Sequence, residues 1–251
     1  MSAFFGGGNR NLLDIAFARN VNPRWNLGFE LNTYRVRKTL NPINRDDRSA
    51  NQNSYAFHTN YRSENGRYWL LAAFSRMRHA VEETGGIIPP EVDSTSLYFT
   101  YEDAKVWLQN SSARDLRHDY HLYHEYKLGN GLQLYHVFDR KNQNVAFFAD
   151  LTTPDELFYP EERLINPDTT LMRQDFAEWR NEFGFKGSYK GFYYNVFGKI
   201  RNGRMINTTV DNSRISFNEV YLGGELIGKI SKKWSVSADG EYLIPGNYRI
   251  R

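Results

Sequence analysis

The chain has 251 residues, in which Lys and Arg (32) nearly balance Asp and Glu (29) for a formal net charge of +3, and it has no cysteine. Interspersed, near-neutral charge excludes the basic stripe of a nucleic-acid binder, and the lack of cysteine excludes a disulfide framework or a thiolate metal site. Aromatic residues make up 16 % of the chain (17 Tyr, 17 Phe, 5 Trp) while the mean hydropathy is −0.67; no stretch approaches the roughly 20 apolar residues of a spanning helix, whereas a barrel whose alternate residues face lipid combines aromatic girdles with overall polarity.

The first residues, Met1-Ser2-Ala3-Phe4-Phe5-Gly6-Gly7-Gly8, carry neither the basic start nor the apolar run of a secretory signal. They are no phosphate loop either, since no Lys-Ser/Thr follows the glycines. Alternation then begins. Leu13, Ile15 and Phe17 alternate with Asp14, Ala16 and Ala18. After the turn signal Asn20-Val21-Asn22-Pro23-Arg24, the apolar Trp25, Leu27, Phe29 and Leu31 alternate with Asn26, Gly28, Glu30 and Asn32. A strand sends successive side chains to opposite faces; a helix, at about 100° per residue, would scatter these apolar residues round its cylinder.

The pattern recurs along the chain. Tyr55, Phe57 and Tyr61 alternate with Ala56, His58, Asn60 and Arg62, and Glu64-Asn65-Gly66-Arg67 turns the chain into a strand from Tyr68 through Phe74. Tyr98–Leu108 adds a candidate strand. Tyr120 and Tyr126 bound another, with His121, Glu125 and Lys127 on its polar side, and Leu128-Gly129-Asn130-Gly131 follows as a turn. Trp179 lies on a strand whose other face carries Glu178, Arg180, Glu182 and Lys186. Beyond the turn Ser188-Tyr189-Lys190-Gly191, the residues Phe192, Tyr194, Val196 and Ile200 alternate with Tyr193, Asn195, Phe197 and Lys199. Val220, Leu222, Leu226 and Ile230 alternate with Tyr221, Glu225 and Lys229, and after Ser231-Lys232-Lys233 come Trp234, Val236 and Ala238 against Ser235, Ser237 and Asp239. The stretch Ala238–Leu243 reads as a strand still under way near the end of the sequence.

Between these strands short turns alternate with long connections, Lys38–Asn53, His79–Tyr98, Lys141–Met172 and Arg201–Phe217. Pro89-Pro90 stiffens one of them. Tight turns at one end and long loops at the other mark an outer-membrane barrel. The sequence therefore predicts an all-β fold: an antiparallel up-and-down transmembrane β-barrel of about 10 strands, each near the length of a tilted crossing. Residues 1–251 form one outer-membrane β-barrel domain, expected to be part of a longer barrel that carries its own export signal.

Charge on the polar rows decides which face meets water. Burying so many ions in a dry core would cost several kcal/mol each. The predicted lumen-facing residues are Glu30, Arg62, Glu125, Glu178, Arg180, Glu182, Lys199, Glu225 and Lys229. Aromatics at strand ends suit the headgroup zone; the predicted membrane-interface set is Trp25, Tyr55, Tyr61, Tyr68, Phe74, Trp179, Trp234 and Tyr242.

Two segments carry a family resemblance. The first, Phe17-Ala18-Arg19-Asn20-Val21-Asn22-Pro23-Arg24-Trp25-Asn26-Leu27-Gly28, has an Asn-Pro turn leading into a Trp-Asn-hydrophobic-Gly strand start. The second is Phe57-His58-Thr59-Asn60-Tyr61-Arg62-Ser63 with Asn65-Gly66-Arg67-Tyr68, followed by Gly85-Gly86-Ile87. The chain resembles the β-barrel porins of Bacteroidota over most of its length. The resemblance implies an outer-membrane barrel of a Gram-negative cell envelope with diffusion or transport activity, and supplies no catalytic residue.

Other candidate sites are weaker. On a strand His118 and His124 share a face but lie about 20 Å apart at ~3.3 Å per residue, and His121 points the other way, so no metal site is expected. Glu178, Arg180 and Glu182 alternate in sign along one face; in a channel such a row sets a transverse field. Asp46-Asp47 and Glu82-Glu83 read as solvated loop charge, and Asn207-Thr208-Thr209 is an uninformative glycosylation-type triplet. With no nucleophile-elbow pattern, no enzyme activity and no cofactor are expected. The function expected is passive diffusion or transport of small solutes through the cell outer membrane. The alternative is a non-conducting structural or accessory barrel subunit of a larger outer-membrane complex. Expected partners are outer-membrane lipid, small solutes, and envelope proteins or further copies of the chain, not nucleic acid.

Overall fold

A computed structural model describes residues 2–6, 10–37, 49–83, 85, 107–108, 110–129, 131–150, 169–208, 213–229 and 234–250. They form one antiparallel sheet of 11 strands in strict chain order: β1 (Ser2–Gly6), β2 (Arg10–Asn22), β3 (Trp25–Arg37), β4 (Ser49–Arg62), β5 (Tyr68–Glu83), β6 (Asn110–Lys127), β7 (Gln133–Asp150), β8 (Thr169–Tyr189), β9 (Phe192–Asn207), β10 (Ser213–Lys229) and β11 (Ser235–Ile250). The up-and-down antiparallel topology is the one expected. The sheet is not closed: among the described residues β1 pairs only with β2, and β11 only with β10.

The strands outrun their predicted limits. β4 begins at Ser49, β5 continues to Glu83, β7 runs to Asp150, β8 starts at Thr169, and β9 and β10 extend to Asn207 and from Ser213. The connections after β3, β7 and β9 are therefore shorter than the sequence suggested, whereas residues 84–109 separate β5 from β6, a longer span than the one predicted there. Glu82 and Glu83, expected in a loop, end β5, where a Glu82 carboxylate oxygen accepts the Ser49 N–H at 2.8 Å. The short strand β1 was not anticipated. Of the candidate strand Tyr98–Leu108 only Trp107 and Leu108 are described, outside any strand, and Asp46-Asp47 and Pro89-Pro90 lie outside the described residues.

The tight turns follow their residues. Asn22 accepts the Arg24 N–H on its side-chain oxygen at 2.9 Å, next to Pro23. Lys190 (φ 46°) and Gly191 (φ 88°) link β8 to β9; two successive positive φ values are the type I′ geometry that matches strand twist.

Register fixes the faces, because directly opposed residues of paired strands lie on the same side. One row crosses the sheet as Phe17, Phe29, Phe57, Phe74, Tyr120, Arg140, Trp179, Asn202 and Asn218. The neighbouring row on the opposite face is Ala18, Gly28, His58, Ala73, His121, Asp139, Arg180, Arg201 and Glu219. One face is thus apolar over much of its height and the other polar. Exposure is inverted relative to a water-soluble domain. Phe17 is 57 % exposed, Phe183 60 %, Leu222 56 % and Tyr242 66 %, whereas Glu125 is 5 % and Glu219 9 % exposed. Among the described residues the apolar rows are not stacked on a second layer.

Glycines on the polar face make room for rings. Gly184 opposes Tyr135, Gly203 opposes Phe217, and Gly223 opposes Phe197. A Cβ at each of these glycines would overlap the facing ring. The ring therefore lies flat against the neighbouring strand, an arrangement in which an aromatic covers an otherwise weakly packed glycine.

Candidate functional site: a charged ladder on the polar face

The residues with most chemical potential sit on the polar face between β6 and β11. In a strand they could not gather by sequence proximity; register brings them together. Nearest the β6–β7 turn, Lys186 of β8 lies 2.9 Å from Glu125 of β6 and donates to the Tyr123 hydroxyl at 2.8 Å. Tyr123 in turn donates to Glu125 at 2.6 Å. The Lys186 ammonium stands over the rings of Tyr123 and Tyr135, 5.4 and 5.6 Å from their centroids, within cation–π range. Tyr135 donates to Glu182 at 3.1 Å.

Two rows toward the long connections, the row His121, Asp139, Arg180, Arg201, Glu219 sets the carboxylates Asp139 and Glu219 on either side of the adjacent cations Arg180 and Arg201. Asp139 contacts His121 at 2.7 Å and Arg180 at 2.5 Å. Arg201 forks between Glu178 at 2.7 Å and Glu219 at 2.9 Å, while Tyr221 donates to Glu219 at 2.7 Å. Lys199 reaches Glu241 of β11 at 2.6 Å and stands 4.4 Å from the Tyr221 ring centroid. Each rung spans two or three strands. The ladder ties the sheet together laterally and leaves a surface of fixed charge. Charge-assisted contacts of this kind are the stronger hydrogen bonds.

Every residue predicted to line a lumen lies on this one face. Glu125, Glu178, Arg180, Glu182 and Lys199 belong to the ladder. Arg62 opposes Trp69, which opposes Glu125. Glu225 opposes Asn195, Lys229 opposes Ser235, and Glu30 opposes Ala56, all in rows of the same side. Sequence reasoning missed Asp139, Arg201, Glu219 and Glu241, which complete the rungs. Arg201 was lost because it fell in a stretch taken for a loop. Its two-residue spacing from Lys199 was the available signal.

The predicted aromatics stand on the apolar face. Trp25 opposes Tyr61, and its indole N–H donates to the Thr59 hydroxyl at 2.9 Å. Tyr68 opposes Tyr126. Phe74 opposes Tyr120, their ring centroids 4.7 Å apart, and Tyr55 packs on Phe74 at 5.9 Å. Trp179 is 43 % and Tyr242 66 % exposed; Trp234, just before β11, is 72 % exposed.

The histidines separate as strand geometry requires. His121 joins the ladder, whereas His118, on the apolar side, accepts from Arg76 at 3.2 Å. His124, also on that side, meets a partner the sequence did not suggest. Its Nε2 lies 3.1 Å from Nδ1 of His136, whose Nε2 lies 3.0 Å from the side-chain oxygen of Asn181. His136 also stacks on Phe183 at 4.1 Å. If each imidazole carries its proton on Nε2, both contacts are satisfied without charge, which lowers the cost of polar atoms on an apolar surface. His136→Leu leaves His124 and Asn181 without this partner and is expected to lower stability by about 1–3 kcal/mol, read as a lower urea midpoint of the refolded protein. The double variant His124→Leu/His136→Leu should recover part of that loss.

The family model described as "Putative porin" matches residues 1–251, and the chain belongs to that family. No curated protein matches the chain. Among solved structures it is similar to two outer-membrane-type receptors of Acinetobacter baumannii. The ferric preacinetobactin receptor BauA superposes with a TM-score of 0.51 at 9 % identity, over 93 % of this chain and 42 % of BauA. The siderophore receptor PiuA gives 0.55 at 7 % identity, over 95 % of this chain and 44 % of PiuA. The chain thus spans less than half the length of either receptor, and at such identity the likeness speaks to the fold alone: an antiparallel up-and-down sheet similar to the receptors' barrels.

Proposed function

We propose that this sheet is the wall of a porin in the outer membrane, through which small hydrophilic solutes pass by passive diffusion. The observation that carries the proposal is the inverted exposure: large apolar side chains are exposed on one face while the carboxylates Glu125 and Glu219 are buried on the other. The exposed rows meet lipid, and the ladder lines water. The aromatics at the short-turn end and those around Phe74, Tyr120 and Trp179 flank the apolar band as interface girdles. The pore acts through its wall. Fixed charge from Asp139, Arg180, Arg201 and Glu219 orients water and favours or repels permeating ions according to local sign. Purified protein in planar bilayers is expected to give discrete, voltage-independent conductance steps, and proteoliposomes should swell in small neutral sugars. Membranes that stay silent although protease protection shows the protein inserted would refute the pore and favour an accessory, non-conducting barrel.

A further inference from the structure

The apolar face does not stay apolar to its upper edge. Along β7 the same-side sequence runs Leu134, His136, Phe138 and then Arg140, Asn142, Asn144. On β5 Phe74 gives way to Arg76 and Arg78, on β6 Leu122 and Tyr120 to His118 and, beyond Leu116, Arg114, and on β9 Ile200 to Asn202 and Arg204. Arginines therefore begin on several adjacent strands just where the apolar band stops, on the side of the sheet that carries it.

Carboxylates are sparse there. Among the residues whose side chains are described, this part of the face holds Asp175, paired with Arg173 at 2.8 Å, and Glu82, held by the Ser49 N–H; Asp150 follows at the far end of β7. Arg78, Arg140 and Arg204 form no ion pair among the described residues, and all three are exposed. Between Arg140 and Arg204 runs a groove of about 750 Å³, lined by Phe138, Ala177, Trp179 and Asn202 and also by Glu178, whose carboxylate is held by Arg201 of the polar face. The site thus pairs guanidinium groups with an apolar trough that opens toward the band below.

We propose that this groove binds the phosphate-bearing headgroup of an outer-leaflet lipid, with Arg140 and Arg204 on the phosphate and the first acyl carbons against Phe138 and Trp179. The proposal rests on the apolar face meeting lipid. Depth supports it. Arg140 follows Phe138 by two residues, about 7 Å along the strand, and the headgroup layer is roughly 5–8 Å thick on each side of the hydrocarbon core. A guanidinium placed there meets phosphates rather than chains or bulk water, and its fixed fork matches phosphate geometry. Trp179 supplies the amphipathic ring favoured at that level.

The test is native mass spectrometry of the detergent-purified protein with three probes: phosphatidic acid, phosphatidylcholine and inorganic phosphate. Phosphatidic acid should be retained about tenfold more tightly than phosphatidylcholine, whose choline masks the phosphate. Arg140→Gln with Arg204→Gln should reduce that retention about tenfold. Arg19→Gln, which removes an exposed cation at the opposite end of the same face, should leave it unchanged. Equal retention of the two lipids, or binding that survives the double variant, overturns the proposal. Displacement by millimolar inorganic phosphate overturns it too, by showing a free-anion site. The readout is taken in detergent, so it does not depend on conductance: a silent protein that retains phosphatidic acid refutes the pore and keeps the lipid site, and the reverse result does the opposite.

Discussion

Gly184→Val is expected to destabilise the folded protein by about 2–4 kcal/mol. Tyr135, 8 % exposed, lies across Gly184, and a Cβ there would overlap its ring. Overpacking of this kind costs roughly 1–3 kcal/mol. Moving the ring also breaks the Tyr135–Glu182 hydrogen bond and takes Tyr135 away from Lys186, and a hydrogen bond is worth about 0.5–1.5 kcal/mol. Gly240→Val is the matched control, since nothing lies within 4 Å of a Cβ at that position. It should change the urea midpoint little. Equal effects at the two glycines would mean that valine acts through the backbone and that the ring-on-glycine seat contributes nothing. The related seats at Gly203 and Gly223, under Phe217 and Phe197, should respond in the same direction as Gly184.

The parts of the fold that the sequence disclosed are those where the two faces differ in polarity. Trp25, Leu27, Phe29 and Leu31 against Asn26, Gly28, Glu30 and Asn32 form a strand whose alternation reports that difference directly. Where both faces are polar, alternation disappears although the strand continues. Arg140-Lys141-Asn142-Gln143-Asn144 is polar throughout and lies in the middle of β7; Arg201-Asn202-Gly203-Arg204 lies within β9. Such segments carry no two-residue period, so they read as loops, and their hydrogen-bond ladders are visible only in three dimensions. The same blindness hid much of the ladder. The side of each charge could be read from parity, as with Glu178, Arg180 and Glu182. Its partner could not, because register between strands as distant as β8 and β6, or β9 and β11, is set by the turns and long connections. His124 and His136 show the limit most clearly: both parities place them on the apolar side, yet only register makes them neighbours that satisfy each other.

Arg201→Met tests whether the ladder is part of the conducting wall or only its brace. Arg201 is the sole cation in contact with both Glu178 and Glu219 among the described residues, and those carboxylates have side-chain exposures of 12 % and 11 %. Removing one partner of a buried ion pair costs about 3–5 kcal/mol. Arg201 itself is 32 % exposed, so water screens part of the loss, and about 2–3 kcal/mol is expected. Methionine keeps most of the stem volume, so the change is chiefly one of charge. It also leaves one uncompensated negative charge on a row that held Asp139, Arg180, Arg201 and Glu219. In a potassium chloride gradient the reversal potential should therefore move toward that of a cation-preferring pore. Adding Glu178→Gln and Glu219→Gln to Arg201→Met removes the two carboxylates that Arg201 had contacted. Stability should then recover by at least half, and the potential should move back past that of the unmodified protein, since two negative charges and one positive charge are gone. A stability loss and recovery with no movement of the potential would show that the ladder lies away from the ion path and serves only to hold β8, β9 and β10 together. The second half of the experiment thus separates bracing from conduction even if the single variant proves too unstable to record.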